Sequence, residues 1–233
     1  MASEQPSGEV DQKLKFADVF DSLPELKTNS YHCAIVDYPW DFDRENGAGL
    51  YENFYETQPI EKFRTVVSEL SRILTPGSWF FAFADDEIVC EVRDIVEESD
   101  FKRRQTCIWD IDCMSMGSYH RVQHYPIITA TLGETDKQLK TRGTIYKAQR
   151  ATGAVGTGHE RSTAKPVALY RKLIQPPVLY SGESLLEPFA GTAPGYDVAQ
   201  ERNLGYWGAD NDNEIIEERK NQPEVKNLGE WSV

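Results

Sequence analysis

Four cysteines, four histidines and no apolar run near the roughly twenty residues of a membrane helix leave little of the usual equipment for disulfide, metal or membrane roles. Cys33, Cys90, Cys107 and Cys113 are too few for a disulfide framework, and two of them fall in segments that read as strand interiors. A reducing, intracellular compartment, the cytoplasm, fits that usage. Cys107, Cys113, His120 and His124 are near one another in sequence, but their spacing fits no common zinc pattern, so no metal is assigned. Met1 to Val10 is polar and acidic where an export signal needs an apolar core, so neither export nor membrane insertion is expected. Basic residues are in the minority, 25 Lys and Arg against 38 Asp and Glu, for a net charge of −13. A surface so acidic repels polyanions, and any contact with nucleic acid must be local. There is no internal repeat and no low-complexity tract.

What is present is an alternation of strand and helix patterns in a chain of 233 residues, enough for one sizeable α/β domain. Residues 1–13 are polar and expected to be loose, with a single domain over 14–233. His32 to Val36 reads as a buried strand, followed by a loop over 41–57 rich in Gly, Asn and aromatics. Apolar residues recur at helical spacing from Pro59 to Leu74, ended by Pro76-Gly77. Trp79 to Phe83 is a strand and Asp85 to Glu98 a helix. Thr106 to Trp109 and Ile127 to Thr131 are strands, Lys165 to Ile174 a helix and Ser184 to Leu186 a strand. Pro194 to Arg202 is a helix, Gly205 to Ala209 a strand, and Asn213 to Lys220 a helix. Such alternation predicts a mostly parallel sheet covered by helices on both faces.

Two segments concentrate chemistry at strand ends. Asp37-Tyr38-Pro39-Trp40 follows the apolar run Cys33 to Val36 and sets an acid, a rigid turn and an aromatic plane together. Leu186 to Gly195 carries a second strand through Glu187, Phe189, Gly191 and Thr192 into a helix opened by Pro194, and such turns bind small polar ligands. Asp210, about 20 residues after that turn, suits either the hydroxyls of a ribose or the cap of the helix that follows. Charge is segregated as well. Between residues 137 and 172, Lys137, Lys140, Arg142, Lys147, Arg150, Arg161, Lys165, Arg171 and Lys172 stand against the single acid Glu160. A basic insert over about 133–162 on an acidic body is a phosphate-contacting candidate, with a solvated loop as the plain alternative.

Taken together, Asp37 to Trp40, Thr163 to Pro166 and Leu186 to Gly195 resemble the amino-group DNA methyltransferases that use S-adenosylmethionine. Their order matches the circularly permuted beta class, in which the catalytic motif precedes the cofactor motif with a target-recognition insert between them. Trp40 adds some likeness to the MT-A70 adenine methyltransferases of RNA. The resemblance spans roughly residues 30–220. It implies a Rossmann-like, seven-stranded sheet with one antiparallel strand, Val225 to Leu228 being a candidate for the last.

The same resemblance implies roles. Asp37 and the Tyr38 carbonyl would accept hydrogen bonds from the exocyclic amine of a flipped base, drawing its nitrogen toward tetrahedral geometry, with Pro39 holding the turn and Trp40 stacking on the ring. Asp37, Lys165, Glu187, Phe189, Gly191, Thr192 and Asp210 would hold the cofactor, Lys165 beside its carboxylate. Glu187 equally suits the end of its strand, and Lys165 a plain surface position. Lys137, Lys140, Arg142, Lys147, Arg150 and Arg161 would meet nucleic acid. The expected activity is adenine-N6 methylation of DNA by a prokaryotic or viral monomer or homodimer, as in restriction-modification systems, with RNA adenine or cytosine N4 as alternatives. Two departures from the pattern, Tyr38 where Pro is usual and Ala193 where a second Gly is usual, leave a catalytically idle binding subunit as the rival from another class.

Overall fold

The computed structural model describes residues 10–40, 57–114, 119–150 and 164–221. Among these, eight strands form one sheet in the order β1-β8-β7-β2-β3-β5-β4-β6. The strands are β1 (Gln12–Phe16), β2 (Tyr31–Val36), β3 (Leu74–Phe83), β4 (Phe101–Asp110), β5 (His124–Leu132), β6 (Ile145–Lys147), β7 (Ser184–Pro188) and β8 (Gly205–Asp210). Only β5 runs against the rest, pairing antiparallel with β3 and β4. The helices are α1 (Val19–Ser22), α2 (Ile60–Ile73), α3 (Val89–Glu97), α4 (Val167–Ile174), α5 (Pro194–Arg202) and α6 (Asn213–Lys220).

The sheet therefore has eight described strands where seven were expected. The additions are β1, which starts within the stretch read as loose and pairs in parallel with β8, and β6, which lies inside the basic insert and pairs in parallel with β4. Neither has the apolar run of a central strand, because each sits at an edge of the sheet. Val225 to Leu228 lies outside the described residues. Pro76-Gly77 does not end α2. The helix stops at Ile73, the chain turns extended at Leu74, and β3 begins there without a loop. Gly77, at φ +83°, falls where the β2–β3 pairing shifts register.

Helices cover both faces. On one, α2 contributes Phe63, Val66, Val67, Leu70 and Ile73 and α3 adds Val92, Ile95 and Val96 to a core with Val36, Phe80 and Trp207. On the other, Leu169, Tyr170, Leu173 and Ile174 of α4 and Val198 and Ala199 of α5 pack on Ile35, Phe81 and Leu185. Each large apolar side chain fully removed from water contributes about 1.5–3 kcal/mol.

β2 and β7 are hydrogen-bonded neighbours, Cys33 opposite Leu185 and Ala34 opposite Leu186. From β2 the chain proceeds through α2 on one face, and from β7 through α5 on the other. Strand order thus reverses between them, and their C-terminal ends flank the crevice where open α/β sheets bind ligands.

Candidate active site

β2 ends by presenting Asp37, whose Oδ2 accepts from Nζ of Lys165 in an ion pair. Lys165 precedes α4, and its ammonium also lies 5.2 Å from the centroid of the Phe83 ring at the end of β3. Two strand ends and one helix start therefore converge on a single carboxylate. The sequence places Lys165 at the cofactor; the structure brings it to Asp37.

Tyr38 and Trp40 turn inward. Tyr38 is buried, its hydroxyl donates to the Pro59 carbonyl at 2.9 Å, and its ring lies 5.1 Å from Phe189, 5.3 Å from Phe63 and 4.6 Å from Trp40. The residue that departs from the motif is thus the one that joins the two strand-end turns. Trp40, read as a stacking surface, is only 5% exposed, and its Nε1 donates to the Phe83 carbonyl at 3.2 Å. Its ring packs on Phe63 at 5.0 Å, so Trp40 belongs to the core rather than to an open face. The Tyr38 carbonyl accepts from Trp40 N at 2.9 Å and keeps a second lone pair, while the Pro39 carbonyl accepts from Gln58 N at 2.7 Å.

Beyond β7 the backbone alternates through left-handed conformations at Phe189 (φ 60°), Gly191 (φ 50°) and Ala193 (φ 51°). For the two residues with side chains this costs roughly 1–2 kcal/mol each, a strain that persists only where surrounding contacts over-determine it. Those contacts are present. Ala193 N donates to the Ala190 carbonyl at 2.7 Å, Ala190 N to the Ala209 carbonyl at 2.9 Å, and Gly191 N to Oδ2 of Asp210 at 2.8 Å. Asp210 Oδ1 accepts from Asp212 N at 3.0 Å, and Asp212 rather than Asp210 caps α6. Asp210 braces the turn through both of its oxygens. Thr192 is half-buried in the turn, and the space a Cβ on Gly191 would occupy is open.

Glu187 is 1% exposed at the floor of this crevice. Its Oε2 accepts from the Tyr206 hydroxyl at 2.6 Å and from Gly195 N at 3.1 Å, while Oε1 has no hydrogen-bond partner. Burial pushes the carboxyl up to about 8; the donors beside it pull the other way, and the charge of Asp37 adds to the rise. The Tyr206 and Tyr170 hydroxyls are held well above their ordinary range, by burial first and then by Glu187. Two glycines make room. A Cβ on Gly195 would lie 2.4 Å from Glu187 Oε2, and one on Gly208 would lie 2.2 Å from the Tyr206 oxygen. Tyr170, Tyr206 and Phe83 were not legible as site residues, because inward-facing aromatics of strands and helices read as ordinary core.

The basic residues divide by position. Lys137 Nζ pairs with Glu183 at 2.6 Å, just before β7, at the end of the sheet opposite Asp37. Arg142 donates to the carbonyls of Gln175 and Pro176 beyond α4, at 2.6 and 2.5 Å. Both brace the scaffold, and both are among the residues expected to meet nucleic acid. Lys140 is exposed, and Lys147, at the C-terminal end of β6 on the rim that carries Asp37, is exposed and pairs with Asp112 at 2.7 Å. Arg150 follows it, its N–H donating to the Ile111 carbonyl at 3.2 Å. Arg161 lies outside the described residues.

No protein-family model matches the sequence, and no curated protein matches it. Solved structures share the fold. The PvuII DNA methyltransferase (cytosine-N4-specific) superposes with a TM-score of 0.71 at 13% identity, over 93% of this chain and 89% of its own. The M1.HpyAVI–SAM complex gives 0.67 at 16% identity, over 89% and 97%. TTHA0409 of Thermus thermophilus, complexed with S-adenosyl-L-methionine, gives 0.66 at 15% identity, over 90% and 91%. At such identities the likeness is one of fold alone.

Proposed function

We propose that this chain is an S-adenosylmethionine-dependent methyltransferase acting on the exocyclic amine of a base in DNA, with adenine N6 as the acceptor. The observation that carries the reading is the contact of Tyr38 with Phe189, by which the acid-bearing turn at 37 and the glycine turn at 189–193 border one crevice. The residues present suit the cofactor. The unpartnered Oε1 of the buried Glu187 fits an ammonium, and open space beside Gly191 fits a ligand held against the backbone. Asp210, at the end of β8 beside the 189–193 turn, is placed for ribose hydroxyls, and Lys165 supplies a cation for a carboxylate.

When bound, S-adenosylmethionine supplies a methyl group on a sulfonium centre. The chain's part is to make a poor nucleophile competent. The lone pair of an aromatic amine is delocalised into its ring, and acceptors at Asp37 Oδ and the Tyr38 carbonyl favour the nitrogen geometry in which that pair is localised. Held by Glu187, Asp210 and Lys165, the cofactor would supply the methyl group, and Asp37 would receive the proton that the amine nitrogen gives up. Holding both partners in line can lower the barrier by roughly 7–11 kcal/mol.

The likeness to a cytosine-N4 enzyme keeps cytosine as the second reading. Purified protein incubated with methyl-labelled cofactor and separate DNA and RNA pools, followed by digestion to nucleosides, tests both. The expected product is N6-methyladenine in DNA. N4-methylcytosine, or label confined to RNA, reassigns the acceptor; no label in either pool defeats the reading.

A further inference from the structure

The Lys165–Asp37 ion pair sets a problem for the proposed chemistry. An acid that must accept hydrogen bonds from an amine is already occupied by an ammonium. The pair is also secluded, with Lys165 16% and Asp37 32% exposed, and Phe83 lies against the lysine. An ammonium so placed does not simply leave for water, because losing its counterion in a partly desolvated site is costly. It leaves for another anion.

We infer that Lys165 is a shared cation that holds Asp37 while the crevice is empty and transfers to the carboxylate of the cofactor's amino-acid tail when that tail enters between Lys165 and Glu187. The inference rests on the proposed cofactor. Among the described residues, this part of the crevice brings together the Lys165 ammonium and the carboxyl groups of Asp37 and Glu187, the latter two within electrostatic reach of each other. A zwitterionic tail adds one charge of each sign, its ammonium facing the unpartnered Oε1 of Glu187 and its carboxylate facing Lys165. The tail's carboxylate then pairs with Lys165, its ammonium donates to the Glu187 carboxyl, and Asp37 becomes free to accept from a base. Cofactor thus arms the acceptor site before the base arrives. Linked equilibria of this kind change affinity by about 5- to 150-fold, and about tenfold is expected for base binding with and without cofactor.

The test needs no nucleic acid. The full chain, labelled with ¹³C at aspartate carboxyls, is titrated with S-adenosylhomocysteine and with its decarboxylated analogue, which keeps adenosine, sulfur and amine. Asp37 is assigned by the signal missing in Asp37→Asn, and binding of each compound is followed by calorimetry. Both compounds should bind, the analogue about tenfold more weakly. Only S-adenosylhomocysteine should move the Asp37 resonance toward its position in Lys165→Met. An equal shift from both bound compounds, or from neither, overturns the transfer while leaving the cofactor reading intact. Absence of heat from both compounds overturns the cofactor reading and the transfer with it. If Lys165→Met does not fold, the comparison of the two compounds on the unaltered chain still decides.

Discussion

The ring of Tyr38 stands 5.1 Å from that of Phe189 at an interplanar angle of 71°, an edge-to-face contact between the turn after β2 and the turn after β7. Residues 151 positions apart in sequence thereby fix the width of one crevice.

Removing that contact should loosen both turns. Tyr38→Phe deletes only the bond to the Pro59 carbonyl and should cost about 1 kcal/mol. Tyr38→Ala empties a site among Trp40, Phe63 and Phe189 and should cost about 3–5 kcal/mol in urea unfolding. Equal small losses for both variants would show that the ring does not tie the turns together.

Glu187 gives the fold a pH signature. Its carboxyl is lifted from 4.5 to about 8, so between those values the folded chain keeps a proton that the unfolded chain has released. The stabilisation is complete below pH 4.5 and is lost as pH rises through 8, with a slope of at most about 1.4 kcal/mol per pH unit. Glu187→Gln keeps the acceptor for Tyr206 and cannot ionise. Urea midpoints at about pH 5, 6.5 and 8 should fall with pH for the unaltered chain and flatten for the variant; parallel curves would place the titration elsewhere.

Gly195→Ala tests how tightly α5 seats on that carboxyl. The new methyl would meet Glu187 Oε2 and, at 2.8 Å, Leu185 Cδ2. Both neighbours are buried, so the cost should be about 1–3 kcal/mol, with weakened binding of S-adenosylhomocysteine by calorimetry. Unchanged stability and unchanged binding would contradict the packing described.

Two lysines that look alike in sequence should behave differently. Lys137→Ala breaks the half-buried pair with Glu183 and should lose about 2 kcal/mol of stability, with the salt dependence of DNA binding unchanged. Lys147→Ala should leave stability within about 0.5 kcal/mol and reduce the slope of log affinity against log salt by about one, if it meets a phosphate. Identical behaviour of the two would undo the division of the basic segment.

The central strands and the longer helices were legible because their apolar residues form continuous runs or recur at helical spacing, as in Cys33 to Val36 or Phe63 to Ile73. The edge strands were not. Gln12–Phe16 has Leu14 and Phe16 alone as apolar residues, and Ile145–Lys147 is three residues long within a basic stretch. At the site, the positions of Asp37, Glu187 and Asp210 at strand ends could be read, because a strand followed by a turn fixes which rim they occupy. Partners could not be read. That Asp37 would face Lys165, 128 residues away, and that Tyr38 would reach Phe189, depend on β2 and β7 lying side by side, a choice of strand order that no local pattern records. Trp40 shows the same dependence on strand neighbours. A motif names a residue type, whereas its burial is decided by Phe63 and Phe83 from other elements.

The most direct measurement is a crystal structure of the chain with S-adenosylhomocysteine. The account predicts the ligand in the crevice between Asp37 and the 189–193 turn, its ribose at Asp210 and its amine at Glu187. Density at the opposite rim, near Lys137 and Glu183, with that crevice empty, would contradict it.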